Sequence, residues 1–409
     1  MILPPDPAGE WVDVAVGGDI GTRPTAVTVR GQRAVVVRLR PNEPVRAFVD
    51  HCPHRLVSLS AATNDGAVLR CIYHGWEFDG TGACVTVPSA GSNSTPPPRA
   101  YLGVLPVREE DGRVYLRPMA ELTPQGPALS NLDLLLASAW HPVALSAELG
   151  AELTVRLLGR QWTLERDAYG VLGVPAEAHA ITERWGLIWL APREPRIDLF
   201  DDPDTEDLAY VGAWLPPSRT KVPAGVVADN FLDVAHFPFV HAGTFGAGER
   251  KEVAAYEVTM EPHGCRSVQV QWFENPGDPG VLDGTRPVRQ RRRATYVYRA
   301  PFQLMLRLEE LDAGAVKTIL FFAQPEDLRS TRIYTKMLLH GIGGVDDPEP
   351  ATVAAEVAFE EAVLAEDLAL QRQMTLTGLP LAMITELHVR ADRLGVALRR
   401  ILADFVATA

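Results

Sequence analysis

Two short metal-ligand half-sites restrict what this chain can fold into. Cys52-Pro53-His54 is followed, after a connection of loop-and-hairpin length, by Cys71-Ile72-Tyr73-His74-Gly75-Trp76. Each half offers one thiolate and one imidazole, so the scaffold must bring two separate loops to a single point. Two Cys and two His satisfy tetrahedral zinc. They equally satisfy a [2Fe–2S] cluster in which two histidines replace two cysteines on one iron and raise its potential. The C-x-H and C-x-x-H spacings differ from the common C-x-x-C zinc half-site, and His-Gly-Trp after the second half favours the cluster. The flanking sequence reads as a rigid β scaffold. Residues 26–30, 34–39 and 45–49 are short β-type runs separated by turns bearing Gly and Pro. Residues 76–85 read as a hairpin with Asp79-Gly80 at its turn, and Val114-Tyr115-Leu116 closes the sheet.

A second constellation lies mid-chain, in Asp229-Asn230-Phe231-Leu232-Asp233-Val234-Ala235-His236-Phe237-Pro238-Phe239-Val240-His241. Asp233 and His236 are three apart and share a face if the segment is helical. Pro238 interrupts a regular helix, so the chain bends and lets His236 and His241 converge. Two neutral imidazoles in an apolar wall, joined by one carboxylate, form the facial triad of non-haem Fe(II) oxygenases. A buried helix with two core histidines is the plainer alternative. The carboxylate would come from the helical tail after Glu349, where Val353, Val357, Leu364 and Leu368 line one apolar stripe. Glu360 and Asp367 project along one border of that stripe, Glu361 along the other, and Glu366 well away. Periodicity does not choose among Glu360, Glu361 and Asp367.

The 409 residues and 46% hydrophobic content suit two or three domains with ordinary cores. A net charge of −13 argues against nucleic acid or an anionic membrane as partner. The run Arg289-Gln290-Arg291-Arg292-Arg293 reads as a charged strand edge or solvated face rather than a ligand patch. Four cysteines make no disulfide framework, and Cys84 and Cys265 read as inert core residues. The proline-rich start lacks signal-peptide features and no apolar run reaches spanning length, so a soluble, cytoplasmic protein is expected.

The two sites together resemble the Rieske non-haem iron oxygenases, specifically their oxygenase (α) component, and are similar to the aryl-ether O-demethylase and monooxygenase type. The likeness covers most of the chain. It implies an α+β fold: an all-β Rieske domain and a catalytic domain whose antiparallel sheet closes over a helix, in the START/Bet v 1-like helix-grip manner. It further implies that Cys52, His54, Cys71 and His74 hold the [2Fe–2S] cluster, and that His236 and His241 hold mononuclear Fe(II). The resemblance also selects Asp367, late on a C-terminal helix, as the third iron ligand, with Glu361 as runner-up. Asp233 is implied as the acceptor that links a cluster histidine to the iron site. Asn230 would face the same cavity, either holding the bridge or packing as a polar helix residue. Phe231, Phe237, Phe239 and Phe245 would wall a site for a small, mostly apolar ring or heterocycle. In this family the cluster and iron of one chain are too far apart, so a head-to-tail homotrimer with a path between chains is expected. No flavin- or NAD-binding Gly-rich motif is present, so a separate reductase, with or without a ferredoxin, supplies the electrons. Monooxygenation with dioxygen is the leading expectation. A cis-diol-forming dioxygenase, a Rieske electron carrier with an inactive body, and a zinc protein are the alternatives.

One departure from the family stands out. Residues 138–192 open and close like a Rieske domain but lack cluster ligands, as if the middle had shrunk to a turn around Asp167-Ala168-Tyr169-Gly170. The expected organisation is a cluster domain at 1–118, a linker at 119–137 broken at Thr123-Pro124-Gln125-Gly126-Pro127, a cluster-free Rieske-like domain at 138–192 and a catalytic domain at 193–409. The helix from His388 to Ile401 is expected to pack with a charged outer face.

Overall fold

The structure, a computed structural model, describes residues 10–119, 126–246, 249–275 and 279–407. The N-terminal stretch to residue 9 and the break expected at 123–125 lie outside the described residues. In the first β unit, Val12–Val16 pairs with Arg113–Leu116, which pairs with Val107–Glu110. A second sheet joins Thr25–Val29, Gln32–Val37 and Arg46–Val49 in that order. Side chains alternate across each strand, and one set (Val29, Ala34, Val36, Ala47, Val49, Val114, Leu116) meets in a shared buried core. A third, four-stranded sheet of Thr63–Asn64, Leu69–Arg70, Glu77–Phe78 and Cys84–Thr86 carries the loops with the half-sites. The expected hairpin is there, its turn organised by the Asp79 carboxylate, which accepts from the N–H groups of Thr81 and Ala83.

Residues 141–191 repeat this strand order. His141–Leu145 pairs with Leu187–Ala191, which pairs with Ala180–Arg184. Glu152–Leu157, Arg160–Arg166 and Leu172–Gly173 form the second sheet, in sequence order. The opening strand carries a register shift in both units, at Asp13/Ala15 and at Pro142/Ala144. Left-handed turn residues also recur, with Arg30-Gly31 matched by Leu158-Gly159 and Asp111-Gly112 by Trp185-Gly186. The four-stranded sheet has no counterpart in the second unit. The shortened connection is at 174–179, not around Asp167–Gly170, which instead turns the third strand into the fourth.

The catalytic domain is built on an eight-stranded antiparallel sheet. Its order runs Val211–Trp214, Ser330–His340, Val316–Asp327, Gln303–Glu310, Arg289–Arg299, Gly264–Glu274, Thr259–Glu261, and Ser218–Thr220 also pairs with Ser330–His340. The short strand at 211–214 is recruited to the sheet by its neighbour rather than by its own pattern. The arginine run is likewise internal to the sheet. Arg291 pairs with Asp312 and Arg293 with Glu309, while Arg292 bonds Glu249 and lines the cavity described below.

Among the described residues, five α-helices join the sheet: α1 (Ala224–Leu232), α2 (Phe237–Val240), α3 (Pro279–Leu282), α4 (Pro350–Gln371) and α5 (Arg393–Ala407). The expected stripe of α4 packs Val353, Val357 and Leu364 against Leu215, Met337 and Leu339 of the sheet layer. By contrast α5 does not keep all its charge outside, since Arg399 is 0% exposed. No helix among the described residues is long and apolar enough to cross a membrane.

Candidate functional site

The two half-sites occupy loops of matching construction. In one, Cys52 N–H donates to Val57 O at 2.9 Å and Leu56 N–H to Cys52 O at 3.0 Å. In the other, Cys71 N–H donates to Trp76 O at 2.9 Å and Gly75 N–H to Cys71 O at 3.0 Å. The fourth residue after each cysteine, Leu56 or Gly75, is left-handed, which turns the chain so that Cys and His point inward together. The cysteines are free and buried. The imidazoles of His54 and His74 lie 4.3 Å apart, and Trp76 stacks on His54 at 4.6 Å.

Each of these two histidines is held by its Nε2. His54 Nε2 lies 3.0 Å from Asp392 Oδ2, and His74 Nε2 lies 2.6 Å from Asp233 Oδ2. The buried Nδ1 of His54 has no partner. Burial, against the pull of Asp392, lowers His54 to about 4, so its imidazole is neutral and offers a lone pair. A buried orphan nitrogen beside two reduced cysteines suits a bound cluster.

The second constellation forms because α1 ends at Leu232. Asp233 is its C-cap in extended conformation, not a helical residue sharing a face with His236 as expected. Its Oδ1 accepts from Ala235 N–H at 2.7 Å, which fixes the turn leading to His236. Pro238 then sits in the first turn of α2, where its missing N–H costs nothing, and His241 caps the far end. The two histidines converge as the proline implied, with Nε2 atoms 3.0 Å apart. Asp367 Oδ1 lies 3.5 Å from both nitrogens. His236, His241 and Asp367 could therefore hold one metal ion, their ligand atoms all lying within 4.8 Å of one another. Nitrogens this close suit a shared ion at the roughly 2.1 Å length of imidazole–metal bonds. Glu361, the alternative ligand, is exposed and outside this group.

Surrounding carboxylates orient the rings. His236 Nδ1 is 3.7 Å from Asp233 Oδ1, and His241 Nδ1 is 3.0 Å from Glu366 Oε2. Glu366, projected away from the apolar stripe, is thus part of the site after all. Burial disfavours charge on His236, yet Asp233 and Asp367 outweigh it and raise the group to about 9. Burial also opposes charge on Asp233, but His74 and His236 hold it well below the usual carboxylate range. The pocket is built to receive positive charge. Asn230 donates to Asp367 Oδ1 at 3.2 Å and to the Tyr73 hydroxyl at 3.3 Å, and accepts from Gln371 at 2.8 Å. It positions the carboxylate and touches the cluster loop.

Sequence reasoning missed a buried charge network behind the cluster. Arg55 lies 3.4 Å from Asp229 and 3.5 Å from Asp392, while Arg399 grips Asp229 at 2.6 Å and Glu386 at 2.6 Å. Only the juxtaposition of Arg55 with a cluster histidine hinted at it.

His74 meets Asp233 of its own chain, which corrects the expectation that cluster and iron of one chain are too far apart. Beside the triad opens a cavity of about 610 Å³. Phe231, Phe237 and Phe245 line it as expected, together with Tyr296, Leu306 and Ile319 from the sheet. Phe239 is not in the wall; its ring covers Gly75 on the cluster side.

A cluster-type β domain docked on a His/His/Asp triad, which opens into a cavity with an aromatic wall and charged residues such as Arg292 and Lys317, defines an oxygenase with two iron centres. The model of the Rieske [2Fe-2S] domain matches residues 10–102, and that of the vanillate O-demethylase oxygenase C-terminal domain matches 220–408. A probable methylxanthine N7-demethylase of Pseudomonas sp. (strain TJI-51) is 29% identical over 65% of this chain and 93% of its own length. Methylxanthine N1-demethylase of Pseudomonas putida is 36% identical over 23% of this chain and 26% of its own. Against whole solved structures the likeness is slight. The NdmA QL mutant of Pseudomonas putida CBB5 with theobromine is 20% identical, with a TM-score of 0.43 over 95% of this chain and 88% of that one. The chain belongs to the Rieske non-haem iron oxygenases, as an oxygenase component.

Proposed function

We propose that this protein monooxygenates a small, mostly apolar ring or heterocycle, by hydroxylation or oxidative demethylation. In this reading Cys52, His54, Cys71 and His74 hold the [2Fe–2S] cluster, and His236, His241 and Asp367 hold the mononuclear iron. The observation that carries it is the 2.6 Å contact of His74 with Asp233, which ties the cluster loop to the triad at the mouth of the cavity. When bound, the cluster supplies single electrons and the iron supplies dioxygen activation. Asp233 holds His74 and orients His236, Glu366 orients His241, and Asn230 steadies Asp367. The aromatic wall receives the ring and excludes water. Glu360, whose carboxyl burial pushes above its usual range, lines the same cavity and offers a polar group to a heterocycle. The demethylase relatives support this substrate class. Electrons come from a separate reductase, with or without a ferredoxin.

The test joins product analysis to metal counting. Labelled dioxygen should place one atom in the product, and two would establish the dioxygenase reading instead. About three irons per chain are expected, whereas about two would mark an electron carrier.

The expected domain organisation is retained: cluster domain to 118, linker 119–137, a cluster-free Rieske-like domain at 138–192, then the catalytic domain. The shared strand order and matched left-handed turns of the two β units support descent of the second from the first kind. About two sulfides per chain, rather than four, would agree with a single cluster. The homotrimer rested on a path between chains, and the His74–Asp233 contact removes that reason.

A further inference from the structure

We propose that one chain of this protein is a complete unit, in which the cluster serves the iron of its own chain and no neighbouring subunit is needed to connect them. This rests on the two-centre reading above and adds where the electrons cross. His74 and Asp233 meet with side chains only 2% and 7% exposed. The outward edge of His54 is closed by Asp392, both side chains being 1% exposed. Both imidazole edges that could meet a second chain are therefore already covered by this one. An Asp233 from a neighbour would first have to evict the resident carboxylate from a buried contact.

The docking around these contacts is continuous. Val57, which closes the first cluster loop, forms an antiparallel bridge with Met374 just beyond α4. Ser58 N–H donates to Gln373 O at 2.9 Å, and Leu387 N–H to Pro53 O at 2.9 Å. Gly75, left-handed at φ +66°, lies so close under Phe239 that an added Cβ would fall 2.1 Å from the ring. Meanwhile the unit adjacent in sequence to the catalytic domain, at 138–192, docks elsewhere. Its Leu158 and Gly159 N–H groups donate to Pro325 O and Glu326 O on the sheet. The N-terminal unit is the one carried to the iron. Single electrons from the external reductase would enter this chain's cluster and leave through His74 and Asp233 of the same chain.

Two measurements decide it, one independent of activity. In the cluster-loaded protein carrying Val57→Cys and Met374→Cys, oxidation should link the two cysteines, whose spacing in an antiparallel bridge suits a disulfide. Denatured without reductant, the product should run as one chain. Dimer or trimer bands, or no link in this pair and in Ser58→Cys/Gln373→Cys alike, overturn the proposal. The second measurement co-expresses a Cys71→Ala chain with a His241→Ala chain. If electrons crossed between chains in a ring, about one interface in four would pair an intact cluster with an intact iron, restoring about a quarter of wild-type turnover. Here no gain over the two parents is expected, and such a gain overturns the proposal. If wild type oxidises no substrate, the oxygenase reading fails, and the cross-link still decides where the cluster sits.

Discussion

Asp233 faces both histidine groups at once, with Oδ2 2.6 Å from His74 Nε2 and Oδ1 3.7 Å from His236 Nδ1. Asparagine in its place keeps the size but replaces one acceptor oxygen by a donor and removes the charge. Asp233→Asn should therefore keep the cluster spectrum and most of the iron, and lose turnover by about 10–100-fold, the usual cost of losing a ligand's orienting partner. Metal analysis beside steady-state turnover checks this, and wild-type turnover would remove Asp233 from the path. Gly75→Ala acts on the same junction from the other side. A Cβ at φ +66° is strained and strikes Phe239; turnover should fall while both metal contents persist, and unchanged turnover would show that the junction yields. The two Cys/His half-sites and the His236/His241 pair stood out in the sequence because their types and spacings are rare, whereas Asp367 was singled out only through the family resemblance. Glu366 was not, although it neighbours Asp367, because the stripe of α4 says only which face packs on the sheet. His241 offers two edges, and consecutive helix residues bracket them: Asp367 at Nε2, Glu366 at Nδ1.

The C-terminal segment shows how an element can mislead when read alone. Residues 388–401 have the pattern of an amphipathic helix with a basic face, yet Arg399 is fully buried between Asp229 of α1 and Glu386. Nothing in a local pattern says which arginine will find two carboxylates from other elements. The network fixes α1, and hence the turn through Asp233 and His236, from behind. Arg399→Ala would leave the buried Glu386 without its partner and Asp229 with only Arg55 at 3.4 Å, a change that costs about 3–5 kcal/mol. The expected result is a melting temperature lower by several degrees, with partial loss of mononuclear iron. Arg399→Lys should rescue little, because an ammonium cannot fork to both carboxylates. A melt like that of wild type for Arg399→Ala would show the network to be unimportant. Strands with period-two alternation, such as Thr25–Val29 and Arg160–Arg166, were more legible than the helices. The exception, Val211–Trp214, is short and owes its conformation to pairing with Ser330–His340.

At the scale of the molecule, a Rieske β domain ahead of a catalytic domain with an antiparallel sheet could be read from the sequence, but where the β units dock could not. Two β units of one strand order give no local clue to which of them meets the iron; that depends on contacts from residues hundreds of positions away, such as Asp392 to His54. These contacts carry a thermodynamic consequence. The cluster unit is joined to the catalytic domain through buried charges, Asp392 to His54 and Arg55, and Asp229 to Arg55. Exposing them requires solvating groups that the fold has paired, so the cluster unit should not open while the rest stays closed. The cluster-free unit is fixed separately, by Trp185 and Trp189 packed on Phe322 of the sheet at 5.6 and 4.9 Å. Heating should therefore bleach the cluster's visible absorption and shift tryptophan emission at one midpoint, although Trp76 lies on His54 and Trp185 and Trp189 lie in the other unit. Removing the cluster anaerobically should lower that common midpoint, because a group that binds only the folded state stabilises everything coupled to it. Two separate midpoints, with the cluster lost first and the emission of the remaining protein unmoved, would mean that the buried charges hold the units in place without coupling their unfolding.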